Sequence, residues 1–194
     1  MPYVVFDTET TGLPDWSAPA DSPQQPRLAS FCLLMVDDDL EIEARLHGLV
    51  KPDGWEMPAA ATAINGLTQD RLEQEGWDVT LPLFALRRAI DTGRILVAHN
   101  LQFDTKIMRG ELRRAKLSDA GCITGICTMR GLTHTCALPH PKRSGYKYPR
   151  LEEACRVVLR REMKGAHDAL NDAKACLWLL RAMRERGMLG KEAA

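Results

Sequence analysis

The sequence has no net charge: 26 lysines and arginines stand against 26 aspartates and glutamates among 194 residues. That balance excludes a uniformly basic coat for nucleic acid, so contact with a polyanion must come from local patches. No apolar stretch approaches the roughly 20 residues a bilayer-spanning helix needs. The first apolar run starts at Tyr3 and leaves no room for a secretory signal, so a cytosolic (cytoplasmic) protein is expected. No CxxC pair occurs among the six cysteines, Cys32, Cys122, Cys127, Cys136, Cys155 and Cys176. In a reducing compartment such cysteines act as small buried apolar groups. Cys122, Cys127, His134, Cys136 and His140 are residue types that bind zinc, but their spacings match no structural zinc template.

What is present suffices for one core. The chain is 45% hydrophobic, and its length suits a single domain over 1–194. Residues 3–7 read as a buried strand ending in a carboxylate, and Leu13 to Arg27 carries four prolines, which exclude a long helix or a central strand there. Leu28 to Val36 is a continuous apolar strand, the acidic run 37–39 a turn, and Ile42 to Val50 its antiparallel partner. One brief helix capped by Thr68 is expected before a helix over Val79 to Asp91. Strand 95–98 then leads through a turn into a helix reaching Leu117. A weaker strand over 122–129, a basic loop over 130–150 and a helix over 151–159 follow. The last helix should start near Ala166 or His167 and run to about Arg186. A meander followed by alternating helices and strands gives an α/β fold with a mixed sheet, antiparallel first and then parallel, flanked by helices.

The polar residues inside this pattern carry the chemistry. Asp7 and Glu9 lie two apart at a strand end, so both side chains leave the same face. Two carboxylates there repel each other and lose hydration, a penalty that divalent cations between them remove. Asp104 follows the second strand–turn, where a helix N-cap is the plainer alternative, and Asp172 sits half-buried at the edge of the last helix's apolar stripe. His167, five residues earlier, reads by itself as a surface or capping residue.

Together these residues resemble a family. FDTETTG at 6–12, AHNLQFD at 98–104 and HDALND at 167–172 are similar, in order and flanking residues, to the three motifs of the DEDDh exonuclease superfamily. That superfamily includes the proofreading exonuclease subunit of bacterial DNA polymerase III. A tyrosine-type relative would carry tyrosine where this chain has Asp168. The resemblance implies a ribonuclease-H-like fold and two Mg²⁺ or Mn²⁺ ions held by Asp7, Glu9, Asp104 and Asp172. It also implies His167 as general base and release of nucleoside 5′-monophosphates from 3′ ends. Hard cations select oxygen ligands, paired ions suit phosphodiester hydrolysis, and imidazole titrates near neutrality, so the chemistry is consistent.

The same resemblance assigns the terminal nucleotide to Thr10, Leu13, His99 and Phe103. The segment around Asn65 resembles an element in which the family often has histidine. The basic run 140–150 interleaves Lys142, Arg143, Lys147 and Arg150 with Tyr146 and Tyr148, a composition suited to phosphates and unpaired bases. Lys106, Arg109, Arg113, Arg114 and Lys116 form a second basic cluster. Single-stranded DNA is the expected substrate; an RNA exonuclease of the same family, a silent nucleic-acid-binding module and a polymerase-associated module are the alternatives. Occupation of all five chemical positions argues against silence, and the short polar finish from Gly187 argues for an enzyme acting alone. No membrane partner is expected.

Overall fold

The computed structural model describes residues 2–119, 125–163 and 165–189. Five strands form one sheet: β1 (Tyr3–Thr10), β2 (Leu28–Val36), β3 (Ile42–Leu49), β4 (Ile95–Ala98) and β5 (Gly125–Cys127). Their order is β3-β2-β1-β4-β5. β1 pairs antiparallel with β2 and β2 with β3, whereas β1–β4 and β4–β5 are parallel. The helices are α1 (Ala59–Asn65), α2 (Gln69–Glu75), α3 (Thr80–Asp91), α4 (Leu101–Arg114), α5 (Thr128–Gly131), α6 (Thr133–Cys136), α7 (Leu151–Ala154) and α8 (Ala169–Glu185).

Both faces of the central strands are covered, which is why β1 and β2 read as apolar runs and not as alternating ones. On one face Val4, Phe6, Phe31, Leu33 and Leu96 pack with Leu83 and Leu86 of α3 and Ile107, Met108 and Leu112 of α4. On the other, Val5, Cys32, Leu34 and Val97 meet Ala169, Ala173, Cys176, Leu177 and Leu180 of α8. Each fully buried large side chain stabilises the fold by about 1.5–3 kcal/mol. The small Ala169 and Ala173 let the first turns of α8 lie close against the sheet. Edge strand β3 keeps most side chains in solvent, with charges that discourage further pairing.

The structure departs from the sequence reading at several places. Two helices, not one, occupy 59–75; α1 ends at Gly66 in the left-handed conformation, and Thr68 caps α2 by accepting from Arg71 N. The expected loop 130–150 begins with helical turns, because Leu132 and Cys136 are drawn into a core with Leu179 and Met183. After Ala154 the helix widens into one π turn, Cys155–Leu159. The last helix starts at Ala169, not at 166 or 167: Asp168 is its N-cap, accepting from Asn171 N, and His167 has φ 64°. Residues 122–124 of the expected weak strand lie outside the described residues.

The proline-rich segment is an ordered loop built on one side chain. Gln25, buried, donates to the carbonyls of Asp15, Ala18 and Pro19 and accepts from Asp15 N. The loop lies on α4 at Gly110, where a Cβ would overlap the carbonyl oxygen of Ala20. Gly110→Ala is therefore expected to destabilise the protein by about 1–3 kcal/mol through overpacking, although alanine is the better helix former. A urea unfolding curve checks this; an unchanged or raised midpoint would contradict it.

Candidate active site

The sheet changes from antiparallel to parallel pairing at β1, and β1 runs on to Thr10 past the end of β4, whose pairing with it stops at Val5–Val97. In open α/β sheets the carboxyl ends of strands at such a switch leave a crevice for ligands. Here it is a cleft of about 580 Å³ lined by Asp7, Glu9, Asp104, His167 and Asp172. Three elements thus deliver the four carboxylates to one place.

Asp7 and Glu9 leave the α8 side of β1, as period-two alternation requires. Asp104 arrives from the first turn of α4. It is not a cap: Asn100 holds that position, and the Asp104 carboxylate accepts from the backbone N and the hydroxyl of Thr8 at 3.1 and 2.8 Å. Asp172 comes from the first turn of α8, buried at the end of that helix's apolar stripe and not merely half-buried. The His167 backbone N–H donates to Asp172 Oδ2 at 3.3 Å. Its ring is exposed and faces inward, with its nitrogen within 4.8 Å of carboxylate oxygens of Glu9 and Asp172.

The electrostatics of this cluster are those of crowded anions. Burial, then repulsion from Asp104, Asp172 and Glu9, holds the Asp7 carboxyl well above the usual range. Burial followed by Asp172 and Asp104 pushes Glu9 up to about 8, tempered by a hydrogen bond from Asn65. Burial raises Asp104 to about 7 against the opposing Thr8 hydrogen bonds, and Asp172 to about 7 against the His167 N–H. Glu111, 1% exposed, shows the contrast: Arg27 and Arg114 both pair with it. Among the described residues no lysine or arginine pairs with any of the four, and Asp172 Oδ1 is buried with no hydrogen-bond partner. Crowded anions, two buried and two half-buried, without cationic side chains, an orphaned carboxylate oxygen and an all-oxygen acidic set are what a hard divalent cation fits.

A stability prediction follows. Between its unfolded value, about 4, and its raised folded value, each of these carboxyls binds more protons in the folded chain, so stability falls as pH rises across that interval. His99 and His47, both shifted down by burial, act oppositely below about pH 6.5, and the buried thiols of Cys32, Cys155 and Cys176, shifted up by burial, add a fall of the same sign as pH nears about 8.5, so the window for the carboxyls lies between. In EDTA the melting temperature should drop from about pH 6.5 to 7.5, and Mg²⁺ should raise it more at the higher pH. Thermal unfolding checks this, and a melting temperature that climbs across that window in EDTA would contradict it.

The residues assigned to the nucleotide are placed as follows. Thr10, Leu13, Asn65, His99 and Phe103 all line the cleft. Leu13 is 87% exposed at its rim, and Phe103 is half-buried against the core beneath. Thr10 donates its hydroxyl to Gly12 O, and the Asn65 amide is engaged by Thr10 O, Leu67 N and Glu9. His99 has neither ring nitrogen free, since Nε2 donates to Pro149 O and Nδ1 meets the Thr128 hydroxyl. Burial lowers its pKa to about 4, so the ring is neutral with Nε2 protonated and acts as a strut under the basic segment. Sequence reasoning missed Ile64, 63% exposed in the cleft, because a seven-residue helix is too short for its periodicity to separate faces. It also missed Thr8, whose signal was a polar residue inside a buried strand. Of the zinc-type residues, Cys122 lies outside the described residues. His134 packs edge-on to Tyr146, and His140 accepts from Lys142 N. Among the described residues only Glu9, His167 and Asp172 gather as a potential metal group.

A mixed ribonuclease-H-like sheet with such a cluster at its switch point defines a class of hydrolytic nucleases. The exonuclease (RNase T) family model matches residues 4–180, and the chain belongs to that family, in its DEDDh branch. It is 33% identical over 107 residues to DNA polymerase III PolC-type of Mycoplasmopsis pulmonis, covering 55% of this chain and 7% of that one. It is 28% identical to DNA polymerase III subunit epsilon of Treponema pallidum, covering 93% of this chain and 75% of that one. A crystal structure of Escherichia coli exonuclease I in complex with a dT13 oligonucleotide superposes with a TM-score of 0.76 at 18% identity, covering 96% of this chain and 41% of that one. That likeness is one of fold. The chain spans a small part of the PolC-type polymerase and less than half of exonuclease I.

Proposed function

We propose that this chain removes nucleotides one at a time from the 3′ ends of single-stranded DNA, releasing nucleoside 5′-monophosphates. The observation that carries the reading is the convergence of Asp7, Glu9, Asp104 and Asp172 without cationic side-chain partners, with the His167 ring turned towards them. Two divalent ions, Mg²⁺ or Mn²⁺, would be held by these carboxylates; when bound they lower the pKa of water and offset charge on the phosphoryl oxygens. His167 accepts the proton of the attacking water, and its exposed ring can pass that proton to solvent. Thr8 fixes the Asp104 carboxylate, and the His167 backbone N–H does the same for Asp172. Leu13, Ile64 and Phe103 offer apolar surface to the terminal base. No covalent intermediate is needed.

Single-stranded DNA is favoured by the apolar cleft wall, by the oligonucleotide in the exonuclease I structure, and by the basic segment after α6. That segment forms a hairpin closed by the Pro139–Tyr146 bridge, with Lys142, Arg143 and Tyr148 exposed, and Pro149 is held from the cleft by His99. Cations beside exposed aromatic rings suit a flexible strand. The two polymerase relatives make association with a polymerase a second reading, which co-elution of the two proteins would support.

Chromatography of the products from matched DNA and RNA strands tests the proposal. Nucleoside 5′-monophosphates, formed faster from DNA, are expected. Nucleoside 3′-monophosphates would contradict the P–O bond assigned for cleavage, and faster release from RNA would contradict the substrate.

A further inference from the structure

We propose that the proline-rich loop and the outer face of α4 form a groove for the strand leading into the cleft, in which Trp16 stacks on a base and Lys106 meets a phosphate. The inference rests on the exonuclease reading and extends it to the nucleotides behind the terminal one.

The groove is a concavity of about 300 Å³ lined by Trp16, Gln102, Thr105, Lys106, Arg109 and Arg113, with Ala20 at its floor. Among the described residues lining it, three are cationic and none is a carboxylate. Asp119 and Asp21 offset the two arginines. Lys106 instead donates to the carbonyls of Asp15 and Ala18 at 2.7 and 2.9 Å and feels the exposed Asp15 carboxylate only at a distance, so it meets a phosphate without breaking an ion pair. Its ammonium lies 5.3 Å from the centroid of the Trp16 ring, which fixes the indole by a cation–π contact. The indole nevertheless stays 52% exposed.

An exposed tryptophan on a slack loop would mean little, but this loop is built. Gln25 ties three of its carbonyls together, Arg114 holds Ser22 O, and Gly110 admits the Ala20 carbonyl onto α4. The sequence thus invests a buried amide and a helical glycine in presenting one aromatic face beside a row of cations. Such pairing of aromatic stacking with a cationic track is how single strands are held without sequence preference.

Position supplies the occupant. Gln102 and Thr105 flank Phe103 and Asp104, which line the cleft, and Leu13 at the cleft rim lies three residues before Trp16. Cleft and groove share no lining residue, but both border the first turn of α4 and the loop after β1, so a strand with its 3′ end among the carboxylates has a short path over Leu13 into the groove. At ~1.5 Å rise per residue, Gln102 to Arg113 spans roughly 16 Å, the length of about four or five stacked nucleotides.

The test is a fluorescence anisotropy titration of labelled oligothymidylates, from a dinucleotide upwards, in Ca²⁺, with hydrolysis in Mg²⁺ followed in parallel. Wild-type affinity should rise with length over about five nucleotides and then level off. Trp16→Ala should flatten that rise and weaken the longest strand about tenfold, with Trp16→Phe restoring most of it. Thr105→Glu, on α4 and not on the loop, should also flatten it by placing an anion in the groove. The same length dependence in wild type, Trp16→Ala and Thr105→Glu, or none in wild type, would overturn the groove. Length-dependent binding lost in these variants, but without hydrolysis by wild type, would support the groove while contradicting the nuclease reading.

Discussion

Asp7→Asn should lose hydrolysis by roughly a thousandfold or more, because it removes the most crowded of the four carboxylates from the centre of the cluster. The same substitution should make the metal-free protein more stable. Asparagine is nearly isosteric and carries no charge, so repulsion with Asp104, Asp172 and Glu9 disappears. In EDTA at pH 8 its melting temperature should exceed the wild-type value, and Mg²⁺ should raise it less. The opposed signs matter: a damaged fold would lose activity and stability together. Near-normal turnover in Asp7→Asn would contradict the assignment, as would a lower melting temperature in EDTA.

His167→Ala should cut turnover by about 10²–10⁴-fold, the range of a lost general base. It should leave the metal-induced rise in melting temperature and the binding of a DNA strand largely intact, since the four carboxylates remain. The backbone at His167 lies in the left-handed region, where alanine is strained and asparagine is tolerated. His167→Asn is therefore the companion variant; it keeps the loop geometry and should be as inactive as alanine. Recovery of activity by asparagine would show that the backbone, and not the imidazole, matters. Loss of the metal-induced stabilisation in both variants would make His167 a ligand instead of a base.

The strands and long helices were legible because both sheet faces are buried and the helices are long enough to show their period. That the four carboxylates meet in one cleft was legible through their flanking motifs: a strand end for Asp7 and Glu9, a strand–turn for Asp104, a helix stripe for Asp172. What escaped has short-range or long-range causes. The four-residue helices α5 and α6 cannot display periodicity, so they were absorbed into the expected basic loop. The start of α8 depends on a positive φ at His167, which residue type does not announce. The order in the proline-rich loop depends on contacts across the sequence, Gln25 with Asp15 and Gly110 with Ala20, that no local pattern contains. The environment of His99 was illegible for the same reason, since its partners Thr128 and Pro149 lie far along the chain.

The measurement that bears most directly on the account is a time course on 5′-labelled single-stranded DNA with wild type and Asp7→Asn, in Mg²⁺ and in EDTA. The account predicts a ladder that shortens one nucleotide at a time from the 3′ end, with wild type and Mg²⁺ only. Immediate loss of the label as a mononucleotide, internal cuts, or equal shortening in EDTA or by Asp7→Asn would contradict it.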